Sequence, residues 1–133
     1  MDRRTYQRIK VDAESIFIVD NTSVSPREFE GIIEDISESG MKILIKAQDT
    51  LHLLPYIEKG QHLHFSAADD FHLFGQERSS IFSGMVEIIR REALENDLIL
   101  LGCKFKRYSN ELQKYVSDRK LSLYMNGLKS ANE

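Results

Sequence analysis

The sequence predicts a mainly β domain, a six-stranded antiparallel barrel carrying one C-terminal α-helix. Three observations predict it. Short runs rich in Val, Ile and Phe, most of them alternating with polar residues, fill residues 11–106. Clusters of Asp, Asn, Ser, Pro and Gly punctuate these runs. The period lengthens to that of a helix only after Ser109.

Residues 11–19, from Val11 to Val19, are β-branched and aromatic and read as the first strand. Asp20 to Pro26 is a turn cluster. Residues 27–36 form the second strand and 41–46 the third, where Met41, Ile43 and Ile45 alternate with Lys42 and Lys46. Residues 47–59 are irregular: Leu51, Leu53, Leu54, Tyr56 and Ile57 are interrupted by Pro55, so a loop with room for a short helical turn is expected, closed by Gly60. Residues 61–67 alternate again, Leu63 and Phe65 against His62 and His64. Residues 68–80 read as a polar hairpin loop. Residues 81–91 and 97–106 are the two longest strands, split at Glu95-Asn96-Asp97. In the last strand Leu98 and Leu100 on one face and Ile99 and Leu101 on the other leave no polar side, which predicts cover on both.

The helix is predicted over 110–126. Ser109 or Asn110 can cap it, Glu111 suits its first turn, and Gly127 suits its end. Leu112, Tyr115, Val116, Leu123 and Tyr124 fall roughly on one stripe, and Leu121, Met125 and Leu128 turn away from it.

At 133 residues, 41% hydrophobic and 29% charged, the chain fits one domain over 1–133 with a core of its own. A formal net charge of -3 and a pI near 5.8 disfavour DNA or RNA as partner. Residues 1–10 differ, with Arg3, Arg4, Arg8 and Lys10 against Asp2 alone, a basic arm suited to a small anion. A single cysteine, Cys103, excludes an intrachain disulfide and points to a reducing compartment, the cytoplasm. No apolar run approaches the ~18 residues of a membrane span, and no apolar segment follows the first arginines as in a signal peptide. Asn21-Thr22-Ser23 matches a glycosylation sequon and reads as a polar turn.

Two short patterns carry the chemistry. Arg4-Thr5-Tyr6-Gln7-Arg8 is RxxxR, and Asp35-Ile36-Ser37-Glu38-Ser39-Gly40 is DxSxxG. Planar, permanently charged guanidinium forks suit phosphate oxygens and the O6/N7 edge of guanine. A carboxylate can accept from the guanine N1–H and amino group, and a serine hydroxyl can donate to phosphate or accept from that amino group. In this order and at this separation the two patterns resemble the PilZ domain, a bacterial β-barrel that binds the second messenger cyclic di-GMP. The Gly102-Cys103-Lys104-Phe105 segment is similar to the Gly-x-x-Phe end of that family's sixth strand.

The resemblance implies a cyclic di-GMP site at Arg4, Arg8, Asp35, Ser37 and Gly40, with Arg3 a further phosphate candidate. Asp35 and Ser37 are expected on one face of an extended strand, Ile36 on the other. Gly40 is expected to serve a positive φ or close ligand approach. The domain then divides into a mobile ligand-binding arm (1–10), a barrel (11–106) and a helix (110–126). It resembles the stand-alone type, a non-enzymatic receptor with no metal, no cofactor beyond its ligand and no membrane insertion. Its arm reorders on binding and signals to a separate effector protein. The alternative is a nucleotide-independent PilZ-fold interaction protein of motility or pilus machinery.

The remaining chemistry-bearing residues read blandly. His62 and His64 share a strand face but lack further ligands, and Cys103 reads as a small core residue. Asp69-Asp70 reads as a solvated loop. Arg90-Arg91 and the Lys104, Lys106, Arg107 cluster either widen the basic field around the site or are solvated strand ends. Tyr6 either packs on the barrel or stacks on guanine. No nucleophile elbow, glycine-rich phosphate loop or zinc-hydrolase motif is present in the sequence.

Overall fold

The computed structural model describes the backbone of residues 8–131 and the side chains of residues 8–126. Six strands form a closed antiparallel barrel: β1 (Ile9–Val19), β2 (Glu28–Ile36), β3 (Gly40–Lys46), β4 (His62–Leu73), β5 (Gln76–Ala93) and β6 (Leu98–Arg107). Neighbours around the barrel run β1-β2-β3-β6-β5-β4, so β3 pairs with β6 and β1 with β4 to complete the ring. Closure leaves no unpaired edge. A 3-10 segment, Ala47–Tyr56, joins β3 to β4, and α1 (Asn110–Ala131) follows β6.

Period-two alternation builds the core. Val11, Ala13, Phe17 and Val19 of β1 point inward with Met41, Ile43 and Ile45 of β3 and Leu63, Phe65 and Ala67 of β4. Phe17 stacks on Phe29 at 5.3 Å between ring centroids. Ile36 is fully buried, as its place between Asp35 and Ser37 predicts. One end of the barrel is closed by α1, whose Leu112, Tyr115 and Val116 are buried. Each such side chain contributes roughly 1.5–3 kcal/mol. The Tyr115 ring stacks on Phe82 at 4.0 Å and meets Phe71 edge-on at 5.9 Å.

Several boundaries depart from the sequence reading. Ile9 and Lys10 belong to β1, not to an arm, because Ile9 is a buried core residue. Residues 68–80 are not a loop. They are the ends of β4 and β5 and the tight turn Phe74-Gly75, both residues at positive φ (54° and 77°), which suits a two-residue hairpin. The polar residues there are the outward half of an alternation whose inward half is Ala67, Phe71 and Leu73. The helix continues past Gly127 to Ala131. Its apolar stripe also ends early: Leu123 and Tyr124 are 43% and 64% exposed. The irregular segment is two 3-10 turns kinked at Thr50, whose hydroxyl donates to the carbonyls of Lys46 (3.2 Å) and Ala47 (3.3 Å). Arg91 holds it by donating to the carbonyls of Leu54 (3.0 Å) and Ile57 (2.8 Å).

Asp69 is not a loop carboxylate. It accepts a hydrogen bond from the Tyr115 hydroxyl at 2.6 Å and lies 3.3 Å from Arg119 Nε, whose guanidinium sits over the Phe71 ring at 5.1 Å. This polar clamp fastens α1 to β4. Burial first, and then the bond to Asp69, push the Tyr115 hydroxyl pKa up. Burial alone pushes the Cys103 thiol up to about 12, so Cys103 is an inert core group, as expected.

Two outcomes follow. Tyr115→Ala should cost about 3–5 kcal/mol in denaturant unfolding, by analogy with other buried aromatics, and Tyr115→Phe about 1–2 kcal/mol for the lost bond. Cys103 is raised on folding from an ordinary value of 9.0 to about 12. Its contribution to stability is therefore complete below pH 9 and is lost as pH rises toward 12. Cys103→Ala should show a shallower alkaline fall of the thermal midpoint.

Candidate functional site

Arg3 and Arg4, and Tyr6 between the motif arginines, lie outside the described residues. Arg8 immediately precedes β1, and its Nη1 donates to Asp35 Oδ1 at 2.6 Å. The two patterns separated in sequence therefore meet across the β1–β2 ladder. The Arg8 side chain is 48% exposed and that of Asp35 19%. An exposed pair of this kind is worth only ~0–1 kcal/mol, so it can be exchanged for contacts to a ligand at small cost.

The rest of the second pattern is a hairpin turn. Ile36 pairs with Met41 across it, and the Ser37 N–H donates to the Gly40 carbonyl at 2.9 Å. Ser37 lies beyond the end of β2 and is buried, 1% exposed, so it does not continue a strand face shared with Asp35. Its hydroxyl accepts from the N–H of Ser39 (3.2 Å) and of Gly40 (3.3 Å), which organises the turn from within. Gly40 does not have the positive φ expected of it. It is glycine because a Cβ there would fall on the carbonyl oxygen of Cys103 in β6. The turn is tied down further where Phe105 N–H donates to the Ser39 carbonyl at 2.9 Å and Lys120 Nζ donates to Glu38 at 2.7 Å. Beside it, burial and the Glu38 charge raise the Tyr108 hydroxyl pKa.

Asp35 belongs to a transverse row. Lys10 stands opposite it on β1, Lys42 opposite it on β3, Gly102 opposite Lys42 on β6, and Arg90 opposite Gly102 on β5. The Arg90 side chain lies over Gly102, where any Cβ would strike its guanidinium at 2.9 Å. Lys10, Lys42 and Arg90 thus share one level of the barrel with Asp35, and Arg8 is the cation in contact with its carboxylate. Three ladders slip register beside this row: between Lys10 and Ala13, between Ile33 and Asp35, and between Ile88 and Arg90. Bulges of this kind re-aim side chains and concentrate next to functional sites. Asp12, at positive φ (53°), belongs to the first.

Lys10 and Lys42 were missed as partners of Asp35. A local signal for Lys42 exists, because the hairpin turn implies its register with Asp35. The basic groups further along divide. Arg90 joins the row, while Arg91 holds the 3-10 segment. Lys104 and Lys106 lie 3.9 and 3.6 Å from Glu87. His62 and His64 face different carboxylates, Glu87 at 3.7 Å and Asp20 at 3.5 Å. Among the described residues no three His, Cys, Asp or Glu converge as metal ligands, and no helix is long and apolar enough to cross a membrane.

The turn's two structural residues can be tested without any ligand. Gly40→Ala should destabilise the domain by about 3 kcal/mol or more, since backbone must move to admit the methyl group. Ser37→Ala should cost about 1–3 kcal/mol by leaving two turn N–H groups unpaired. Chemical denaturation checks both.

The chain matches the family model described as PilZ domain over residues 2–118. No curated protein matches it in sequence. In fold it is similar to the Bacillus subtilis inhibitor of motility MotI/DgrA at 12% identity and TM-score 0.61, covering 100% of this chain and 54% of that one. It is similar to the PilZ domain of Escherichia coli YcgR solved with c-di-GMP, at 15% identity and TM-score 0.56, with 99% of both chains covered. It is similar also to the longer YcgR solved in complex with c-di-GMP, at 16% identity and TM-score 0.62, covering 99% of this chain and 50% of that one. The chain spans about half the length of MotI/DgrA and of the longer YcgR. With the six-stranded barrel and its helix agreeing with the match over residues 2–118, the chain belongs to the PilZ domain family.

Proposed function

We propose that this domain is a non-enzymatic receptor for cyclic di-GMP, binding it on the outer face of the barrel at Arg8, Asp35 and the flanking cations. The observation that carries the reading is the Arg8–Asp35 contact at 2.6 Å inside a row that also holds Lys10, Lys42 and Arg90. Two phosphodiesters need cations, and guanine needs both a donor fork and a carboxylate acceptor. Arg4, and Arg3 as a further phosphate contact, would come from the segment before β1. That segment is the arm that orders over the ligand and presents a changed surface to an effector protein. Ser37 and Gly40 contribute by holding the turn, and through it Asp35, in place. The reading places the protein in the cytoplasm.

A second reading has one observation in its favour. Ser37 and Gly40 are accounted for by the turn itself. A nucleotide-independent interaction protein of motility or pilus machinery would keep them for that reason alone.

Calorimetric titration with cyclic di-GMP separates the two. Wild type should bind, and Arg4→Ala, Arg8→Ala and Asp35→Ala should each weaken binding about tenfold or more, the loss of one charge-assisted hydrogen bond. No heat from wild type at low salt and micromolar protein would sink the receptor reading. Recovery of the same partner protein with and without nucleotide, by wild type and by an Arg4/Arg8 double variant alike, would favour the second.

A further inference from the structure

The ring of strands is completed by β1 against β4 through Ser15–Val19 alone. Before Ser15 and after Ala67 the two strands part, although β1 reaches back to Ile9 and β4 runs on to Leu73. There α1 takes the place of the ladder. The buried Ser122 hydroxyl donates to the His72 carbonyl of β4 at 2.6 Å, and Arg119 Nη2 donates to the Lys10 carbonyl of β1 at 3.4 Å. Helix side chains thus supply donors to both strands where the strands no longer supply them to each other.

Arg119 is the residue that spans the gap. Its side chain is only 14% exposed. The guanidinium lies over the Phe71 ring at 5.1 Å and beside Asp69 at 3.3 Å, both on β4, and reaches across to Lys10 on β1. A planar fork can face a carboxylate and a carbonyl at once, which the point charge of a lysine cannot. Arg119 Nε is buried with no aligned hydrogen-bond partner among the described residues. A residue that served only to pack α1 on Phe71 would avoid that cost by being apolar. The bridge to β1 accounts for the arginine.

The bridge lands at the candidate site. Lys10 stands opposite Asp35, and the Arg8 side chain, two residues earlier, donates to Asp35 at 2.6 Å. Little else fixes this end of β1. Only Ile9 and Lys10 pair with β2 ahead of the slip between Lys10 and Ala13, where Asp12 is at positive φ. A contact from a docked helix therefore decides where Arg8 stands. The next helix residue, Lys120, donates at 2.7 Å to Glu38 in the turn that positions Asp35. One turn of α1 holds both sides of the Arg8–Asp35 contact.

We propose that Arg119 is a positioning residue for nucleotide binding and that occupancy of the site in turn tightens α1 on the barrel, a role that rests on the domain being a cyclic di-GMP receptor. Arg119 is too buried to meet a ligand on the outer face, and it acts through the start of β1 on Arg8. A contact that raises the affinity for a ligand is strengthened by that ligand to the same extent. Site and helix are therefore coupled, and α1 responds to a nucleotide it does not touch.

Calorimetry with cyclic di-GMP tests the first half on Arg119→Met, Arg119→Lys and Tyr115→Phe. Methionine keeps an apolar contact with Phe71, and lysine keeps the positive charge beside Asp69. Both should bind at least about fivefold more weakly than wild type. Tyr115→Phe loses a hydrogen bond to the same Asp69 on β4 and none to β1 or the turn, so it should bind like wild type while losing stability. Hydrogen exchange tests the second half. Saturating nucleotide should slow exchange at residues 119–122 in wild type and leave it unchanged in Arg119→Met, or in Arg119→Lys if the methionine variant fails to fold. Wild type that binds would leave the receptor reading standing, and three outcomes would then overturn the coupling alone: an Arg119 variant within about twofold of wild type, Tyr115→Phe weakened as much as Arg119→Met, or helix exchange indifferent to nucleotide. Absence of binding by wild type would overturn the receptor reading and the coupling with it.

Discussion

Where β3 crosses β6, the backbone at Gly40 packs against the carbonyl of Cys103 with no space for a side chain between them. That approach closes the barrel between strands far apart in sequence. It also fixes the hairpin that carries the second pattern, because the turn from Ser37 to Gly40 bridges β2 and β3 at this point. Asp35 inherits its position from the turn, and Arg8 takes its place against Asp35 across the neighbouring ladder. The geometry of the candidate site is therefore a consequence of barrel closure. Its rigid half is held by backbone contacts and buried hydroxyl bonds, and its exchangeable half by one exposed ion pair.

Around Asp35 the sheet departs from a regular ladder. Three register slips lie beside the one transverse row that holds Lys10, Asp35, Lys42 and Arg90. A regular ladder is the lower-energy arrangement, so a cluster of slips at one level needs a reason. The proposed nucleotide site would supply it, with Arg8 against Asp35 and further cations along the same row. On β6 the cations Lys104 and Lys106 lie instead against Glu87, at 3.9 and 3.6 Å.

The helix has two unlike halves. Its first half is a lid, held by Leu112, Tyr115 and Val116 and by the Tyr115–Asp69–Arg119 clamp. Arg119 also reaches the carbonyl of Lys10 at 3.4 Å, and Lys120 reaches Glu38. Consecutive helix residues thus touch both the start of β1 and the turn, the two walls of the candidate site. Beyond the buried Ser122, the described side chains from Leu123 to Asn126 are exposed.

By itself the sequence determined the strand and helix types, the inward set of core residues and the two patterns that mark the family. These follow from local periodicity and from residue chemistry, which are properties of neighbours along the chain. It misjudged 68–80 because alternate polar residues over an inward Phe71 and Leu73 look like a loop when the opposing strand is unknown. It took Asp69 for a solvated residue because its partners, Tyr115 and Arg119, lie some fifty residues away. Tertiary structure alone decided that Gly40 serves the β6 backbone and that Arg90 enters the row of Asp35 and Lys42 by way of Gly102. The physical reason is common to both. Each depends on which strands become neighbours when the barrel closes, and the β3–β6 pairing that closes it leaves no trace in any local stretch of sequence.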